Sequence, residues 1–172
     1  MIKEITQFIA SLSLGPAPGW AIGTDLFAGH VPVKNFAGVK ISELPDGRYL
    51  AVLENAGGAV LADVGGVVTI GHMPPSRPAD ATYWPKYIEK AVQLLNRAKS
   101  YFIAHDDAEQ LYEALHNTGG WNLHPLAGGP KYQAIVIDAY GPPAPIENPG
   151  ASGLYIFSTN YTWKIEEASC GA

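Results

Sequence analysis

This chain of 172 residues has little of the chemistry that small enzymes and metal-binding domains use. Its one cysteine, Cys170, cannot form an internal disulfide or a multi-thiolate metal site. Lysines and arginines are scattered and the net charge is -5, so no basic surface for nucleic acid is expected. No apolar run approaches the length of a membrane span, and the first residues lack the apolar core of a signal peptide. We therefore expect a soluble protein with no membrane partner, made in a reducing compartment.

Short active-site motifs are also missing from the sequence. None of the five histidines lies in an HExxH or HxH pattern, and the glycine pairs lack the endings of phosphate-binding loops. The acid pairs Asp106-Asp107 and Glu166-Glu167 point in different directions on a helix or a strand, so neither is a natural acid/base dyad. His105 beside Asp106 is a weak metal candidate, because acids near a helix start are expected from the helix dipole. We expect no catalytic residue, metal or cofactor.

The length predicts one domain, residues 1–172, with a sizeable core. The excess of 19 glycines and 14 prolines predicts long loops. The longest irregular stretch, residues 57–86, has two β-rich pieces interrupted by Gly65-Gly66 and by prolines. We interpret it as a projecting hairpin or arm that becomes ordered on contact with a partner.

Two segments have the periodicity of amphipathic helices. Residues 2–13 place apolar side chains on one side, and Gly15-Pro16 ends the segment. Residues 100–117 form the clearer helix, which ends before Gly119-Gly120. Between them, residues 87–98 fit a helix or a strand, and their composition alone favours a helix.

Strands are predicted at residues 49–55, 131–140 and 153–165. Residues 131–140 are apolar at most positions, which indicates a strand buried on both faces. Residues 153–165 alternate instead, which is typical of a strand with one covered face. One side carries mainly aromatic residues, namely Tyr155, Phe157, Tyr161, Trp163 and Ile165. The other side carries Ser158, Asn160, Thr162 and Lys164.

Four segments, in this order, resemble the tail-terminator (tail-completion, or minor capsid) proteins of long-tailed bacteriophages. They are IKEITQFIASLSLG with AIGTDLFAGHVP, then YLAVLENAGG, then VQLLNRAKSYFIAHDDAEQLYEALHN, and finally YQAIVIDAYGPPAPIENPGASGLYIFSTNYTWKI. In that family the stretch before the long helix is a strand, so the resemblance predicts a strand at residues 90–97. Residues 57–86 depart from the family, because its usual connection is shorter.

The resemblance and the element order together predict an α+β fold. The expected fold is an antiparallel four-stranded sheet with two main helices packed on one face, in the order α-β-β-α-β-β, plus the inserted hairpin. The aromatic side of the last strand is expected to pack on the helices.

The resemblance implies a structural role in the virion. Such proteins form a homohexameric ring at the head-proximal end of the tail tube, stop tube polymerisation and join the tail to the head connector. The implied partners are other copies of this chain, the tail tube protein and the connector or stopper protein, and DNA passes through the lumen without specific binding. The implied location is the neck of the virion, after assembly in the cytoplasm of the host.

A ring of identical subunits needs two different contact surfaces on each subunit. We hypothesise that one lies at the polar side of the last strand and the loop 141–152. The candidate residues are Ser158, Asn160, Thr162, Lys164, Pro142, Pro143 and Ile146. The alternatives are another head–tail neck component or, from a different class, a small ligand-binding domain or enzyme.

Overall fold

The structure is a computed structural model that describes residues 1–54, 60–63, 66–69, 87–123, 132–147 and 153–167. Its helices are α1 (Ile2–Ser11) and α2 (Tyr101–Leu115), with short 3-10 turns at Ile41–Glu43 and Pro45–Gly47. Its strands are β1 (Leu26–Ala28), β2 (Tyr49–Glu54), β3 (Val60–Asp63), β4 (Gly66–Thr69), β5 (Tyr87–Ala98), β6 (Trp121–Leu123), β7 (Tyr132–Ala139), β8 (Ala144–Glu147) and β9 (Tyr155–Glu167).

Seven of the described strands form one mixed sheet that curls into a half-barrel. The strand order is β1-β2-β5-β9-β7-β6, and β8 also pairs with β9. Strand β9 is the centre, because β5 follows one of its edges over its whole length while β7 and β8 share the other edge. Strand β1 runs parallel to β2, and the other pairs are antiparallel.

The predicted four-stranded antiparallel sheet with the order α-β-β-α-β-β is therefore wrong. The prediction omitted β1, β6 and β8, which have three or four residues each and are too short to show a period of two. Because β1 is parallel to β2, the sheet is mixed.

Both described helices pack against the same face of the sheet. Phe8 of α1 meets Trp163 edge-to-face, with ring centroids 5.9 Å apart. Leu111 and Leu115 of α2 join the same core cluster, so α1, α2 and β9 share one apolar core. Nearer the start of β9, Phe157 packs with small residues of α2. The prediction that the aromatic side of the last strand packs on the helices is confirmed.

The opposite face of the sheet is covered near its middle. Leu95, Ala51 and Ile156 form a second apolar cluster there, with Ile146 of β8 packed against it. Residues 156–159 of β9 are consequently buried on both faces, while the alternation of buried and half-buried residues holds from residue 160 to residue 166.

Strand β7 differs from its prediction as a strand buried on both faces. Ile135 and Val136 are 38% and 39% exposed, and Asp138 is exposed as well. A register shift against β9 between Ala134 and Val136 breaks the alternation at this point. Strand β7 thus exposes apolar side chains, although its sequence predicted a strand covered on both faces.

The long irregular segment contains a described pair of strands. β3 and β4 pair in antiparallel register as a separate two-stranded sheet, which fits the hairpin interpretation of its first part. The rest of the segment, at residues 57–59, 64–65 and 70–86, lies outside the described residues. The prediction that the segment projects therefore lies outside them as well.

Candidate functional site

The seven predicted interface residues do not form one exposed surface. Ser158 is buried and accepts a hydrogen bond from the Gln93 amide nitrogen at 2.8 Å. It lies under the covered part of the half-barrel, so its assignment to an open polar side is wrong. Pro142 is exposed and Pro143 half-buried, whereas Ile146 packs on the apolar cluster of the second face.

The remaining predicted residues lie where β9 leaves this covered region. Asn160 is half-buried, and its side-chain oxygen has no hydrogen-bond partner within the described ranges. The Thr162 hydroxyl donates to the Tyr140 hydroxyl at 3.0 Å, and Tyr140 is 60% exposed. Lys164 is 45% exposed and lies 3.8 Å from the carboxylate of Glu89. These groups form a partly open polar surface beside β7.

The loop between β1 and β2 carries an exposed apolar and cationic surface that the sequence analysis did not identify. We call it the loop patch. It consists of Val33, Lys34, Phe36, Val39 and Lys40. Phe36 is 85% exposed and Val33 67%, which are high values for large apolar side chains.

Hydrogen bonds hold the loop patch in one conformation. The Asn35 amide group is buried, its backbone N–H donates to Val39 O at 2.8 Å, and its side-chain oxygen accepts from Val39 N at 3.0 Å. Phe36 N donates to Gly23 O at 2.8 Å, and the Phe36 ring packs over Gly23, which has a φ of +78°. A side chain at position 23 would have to adopt this left-handed conformation and would displace the Phe36 ring, so glycine is favoured there. Phe36 is therefore presented to solvent by an ordered loop.

A second unpredicted surface is the solvent side of α2, which we call the helix stripe. It consists of Phe102, Asp106, Glu109 and Glu113, whose spacing places them on one side of the helix. Phe102 is 74% exposed, and its ring meets Tyr101 edge-to-face with centroids 5.7 Å apart. Helix α2 contains four carboxylates and no lysine or arginine.

The fourth carboxylate of α2, Asp107, lies in a cluster of three charged side chains with Arg48 and Asp25. It is buried, and Arg48 forms a bidentate ion pair with it, in which the Nε–Oδ2 distance is 2.6 Å. The hydrogen bond to Asp107 is the main cause that raises the pKa of Arg48. Asp25 lies close enough to both for their charges to influence its pKa.

Asp25 and Asp107 act as structural partners in this cluster. Burial raises the pKa of the Asp25 carboxyl, and the hydrogen bond that it accepts from Ala21 N at 2.7 Å partly opposes this effect. Arg48 binds both oxygens of Asp107, so this carboxylate is held in a buried ion pair. The cluster connects α2 to the start of β1 and β2, which is a stabilising role.

Four buried polar side chains lie on the helix-covered side of β5 and β9. The side-chain polar atoms of Asn96, Thr159, Tyr161 and Trp163 have no hydrogen-bond partner of good geometry within the described part of the chain. Burial raises the pKa of the Tyr161 hydroxyl, and its interaction with the Thr159 hydroxyl opposes this rise. Unsatisfied groups of this kind reduce stability unless water or a ligand bonds them.

No cluster of three or more metal-ligating side chains occurs in the described residues. In the same ranges no helix is both long and apolar enough to cross a membrane. A scan against family models, a search of curated proteins and a search of solved structures found no match to this chain.

Proposed function

We propose that this chain is a tail-terminator protein of a long-tailed bacteriophage. In this role six copies form a ring at the head-proximal end of the tail tube, stop its polymerisation and join it to the head connector. The protein would act in the neck of the virion, after assembly in the host cytoplasm. The sequence resemblance in four ordered segments is the starting point of the proposal.

The observation that carries the proposal is exposed aromatic surface at separate places on ordered elements. Phe36 in the loop patch and Phe102 in the helix stripe are 85% and 74% exposed. A closed ring needs two unlike surfaces on each subunit, one for each neighbour. Large apolar side chains exposed in two places are what such subunits require before assembly.

The polar surface beside β7 is a third region of the same subunit. It combines the Thr162–Tyr140 hydrogen bond and the half-buried Asn160 with the exposed Val136. We assign it to a subunit boundary or to the lumen of the ring. A net charge of -5 suits a lumen through which DNA passes, because phosphates are not held there.

The test is negative-stain imaging of purified tail tubes grown with and without this protein. The proposal predicts rings at one end of each tube and shorter tubes as the protein concentration rises. A variant that combines Phe36→Ser and Phe102→Ser should leave tube length unchanged. Tubes that grow to the same length in the presence of the folded wild-type protein, with no ring at their ends, would contradict the proposal.

A further inference from the structure

The helix stripe concentrates negative charge on a helix that contains no lysine or arginine. Asp106, Glu109 and Glu113 follow one another at spacings of three and four residues, so neighbouring carboxylates repel each other. Asp106 is 70% exposed and Glu109 36%, and among the described residues their one cationic partner is His105, if protonated, at 3.5 and 3.8 Å. Lys99 lies just before the helix and is exposed. A cationic surface placed over the stripe would relieve this repulsion.

The loop patch has the opposite charge and a similar apolar content. Lys34 and Lys40 face each other in an antiparallel bridge, which places two like charges side by side. Residues 29–41 contain these two lysines and no carboxylate. Lys40 has an exposed ion pair with Glu43 at 3.1 Å, whereas no ion pair is found for Lys34 among the described residues. An anionic surface would relieve the repulsion between the two lysines.

We infer that the loop patch of one copy binds the helix stripe of the next copy in the ring. Each surface places one exposed phenylalanine beside two or three charges of a single sign, and the two signs are opposite. Phe36 next to Lys34 and Phe102 next to Asp106 thus supply both an apolar anchor and complementary charges. The contact joins unlike surfaces, as ring closure requires. This inference rests on the proposed ring.

The test is a pair of charge-reversal variants that assemble only with each other. The loop variant carries Lys34→Glu and Lys40→Glu, and the helix variant carries Asp106→Lys and Glu109→Lys. Each variant alone brings like charges together at every contact. We expect the concentration for half-assembly, measured by light scattering, to rise by about tenfold or more for each one.

A one-to-one mixture distinguishes this contact from general effects of charge. In an alternating ring, every reversed loop meets a reversed helix and every native loop meets a native helix. We therefore expect the mixture to recover the wild-type mass at concentrations where each variant alone is monomeric. The matched control is Lys3→Glu, which reverses an exposed charge on α1, outside all the surfaces described above, and should assemble like the wild type.

The outcomes separate this inference from the proposed function. If the wild type forms rings and both variants assemble equally well, or if their folded mixture stays monomeric, the assigned contact is wrong and the ring proposal stands. If the wild type forms no ring alone or on tail tubes, the proposed function fails and this contact fails with it. Circular dichroism and urea midpoints show that each variant is folded before its mass is interpreted.

Discussion

The ion pair between Arg48 and Asp107 gives the sharpest prediction about stability. The Asp107 side chain is 1% exposed, and both of its oxygens accept from Arg48. Arg48→Met removes the cation and leaves a carboxylate buried without compensation. Breaking a buried pair in this way costs about 3–5 kcal/mol of the free energy of unfolding. With a urea slope of about 2 kcal/mol per M, the midpoint should fall by about 2 M.

The double variant Arg48→Met with Asp107→Leu tests the cause of this loss. Replacing both charges by apolar side chains of similar size removes the buried carboxylate as well as its partner. We expect the double variant to recover most of the stability, because a buried pair contributes little relative to apolar packing. Urea denaturation of all four proteins gives the coupling energy between the two positions.

Lys40→Met is the control for the loss of one cation. Lys40 and Glu43 form an exposed pair, with 57% and 59% of their side chains accessible, so its loss should cost less than about 1 kcal/mol. If Arg48→Met lowers the free energy of unfolding as little as this control does, the ion pair does not connect α2 to the sheet. If the double variant loses the sum of the two single effects, the buried charge is not the reason for the loss.

Three further predictions concern buried or half-buried polar groups. Burial raises the pKa of Asp25 in the folded state, so its stabilisation is complete below the ordinary value of 3.8 and is lost as the pH rises through the folded pKa. The urea midpoint of the wild type relative to Asp25→Asn should therefore decline as the pH rises above 3.8, and a rise would refute this sign. Asn96→Leu should leave stability unchanged or raise it by about 1 kcal/mol, since its amide has no partner among the described residues. A urea-measured loss above about 2 kcal/mol would mean instead that water or a ligand bonds that amide. Asn160→Ala with Thr162→Ala should lower the mass of the ring in light scattering and leave the circular dichroism of the monomer unchanged, and an unchanged mass would argue against the subunit boundary at β9.

Long periodic segments were predictable from the sequence. The helices at residues 2–13 and 100–117 are confirmed as α1 and α2, because each carries a one-sided apolar pattern over several turns. The strand at residues 90–97, which rested on the resemblance, is confirmed as part of β5. Composition favoured a helix there because leucine and alanine form helices well, but pairing with β2 and β9 on both edges outweighs that preference.

The candidate surfaces were harder to predict. The alternation predicted an exposed Ser158, yet the half-barrel covers residues 156–159 of β9 on both faces. The curvature of a sheet cannot be read from a period of two. The loop patch lies in a stretch without periodicity, and its exposure depends on the hydrogen bonds of Asn35. One signal was available, namely Val33, Phe36 and Val39 within a loop that also contains glycine and lysine. The acids of α2 form no motif, and the lysines of the loop patch lie far away in the chain, so no local pattern indicated the helix stripe.

Light scattering of the purified wild-type protein, alone and with tail tubes, tests the central claim most directly. The account predicts a species with six times the mass of one chain, seen as a ring either free or at the end of a tube. A folded protein that stays monomeric at every concentration and does not bind tubes would contradict the account.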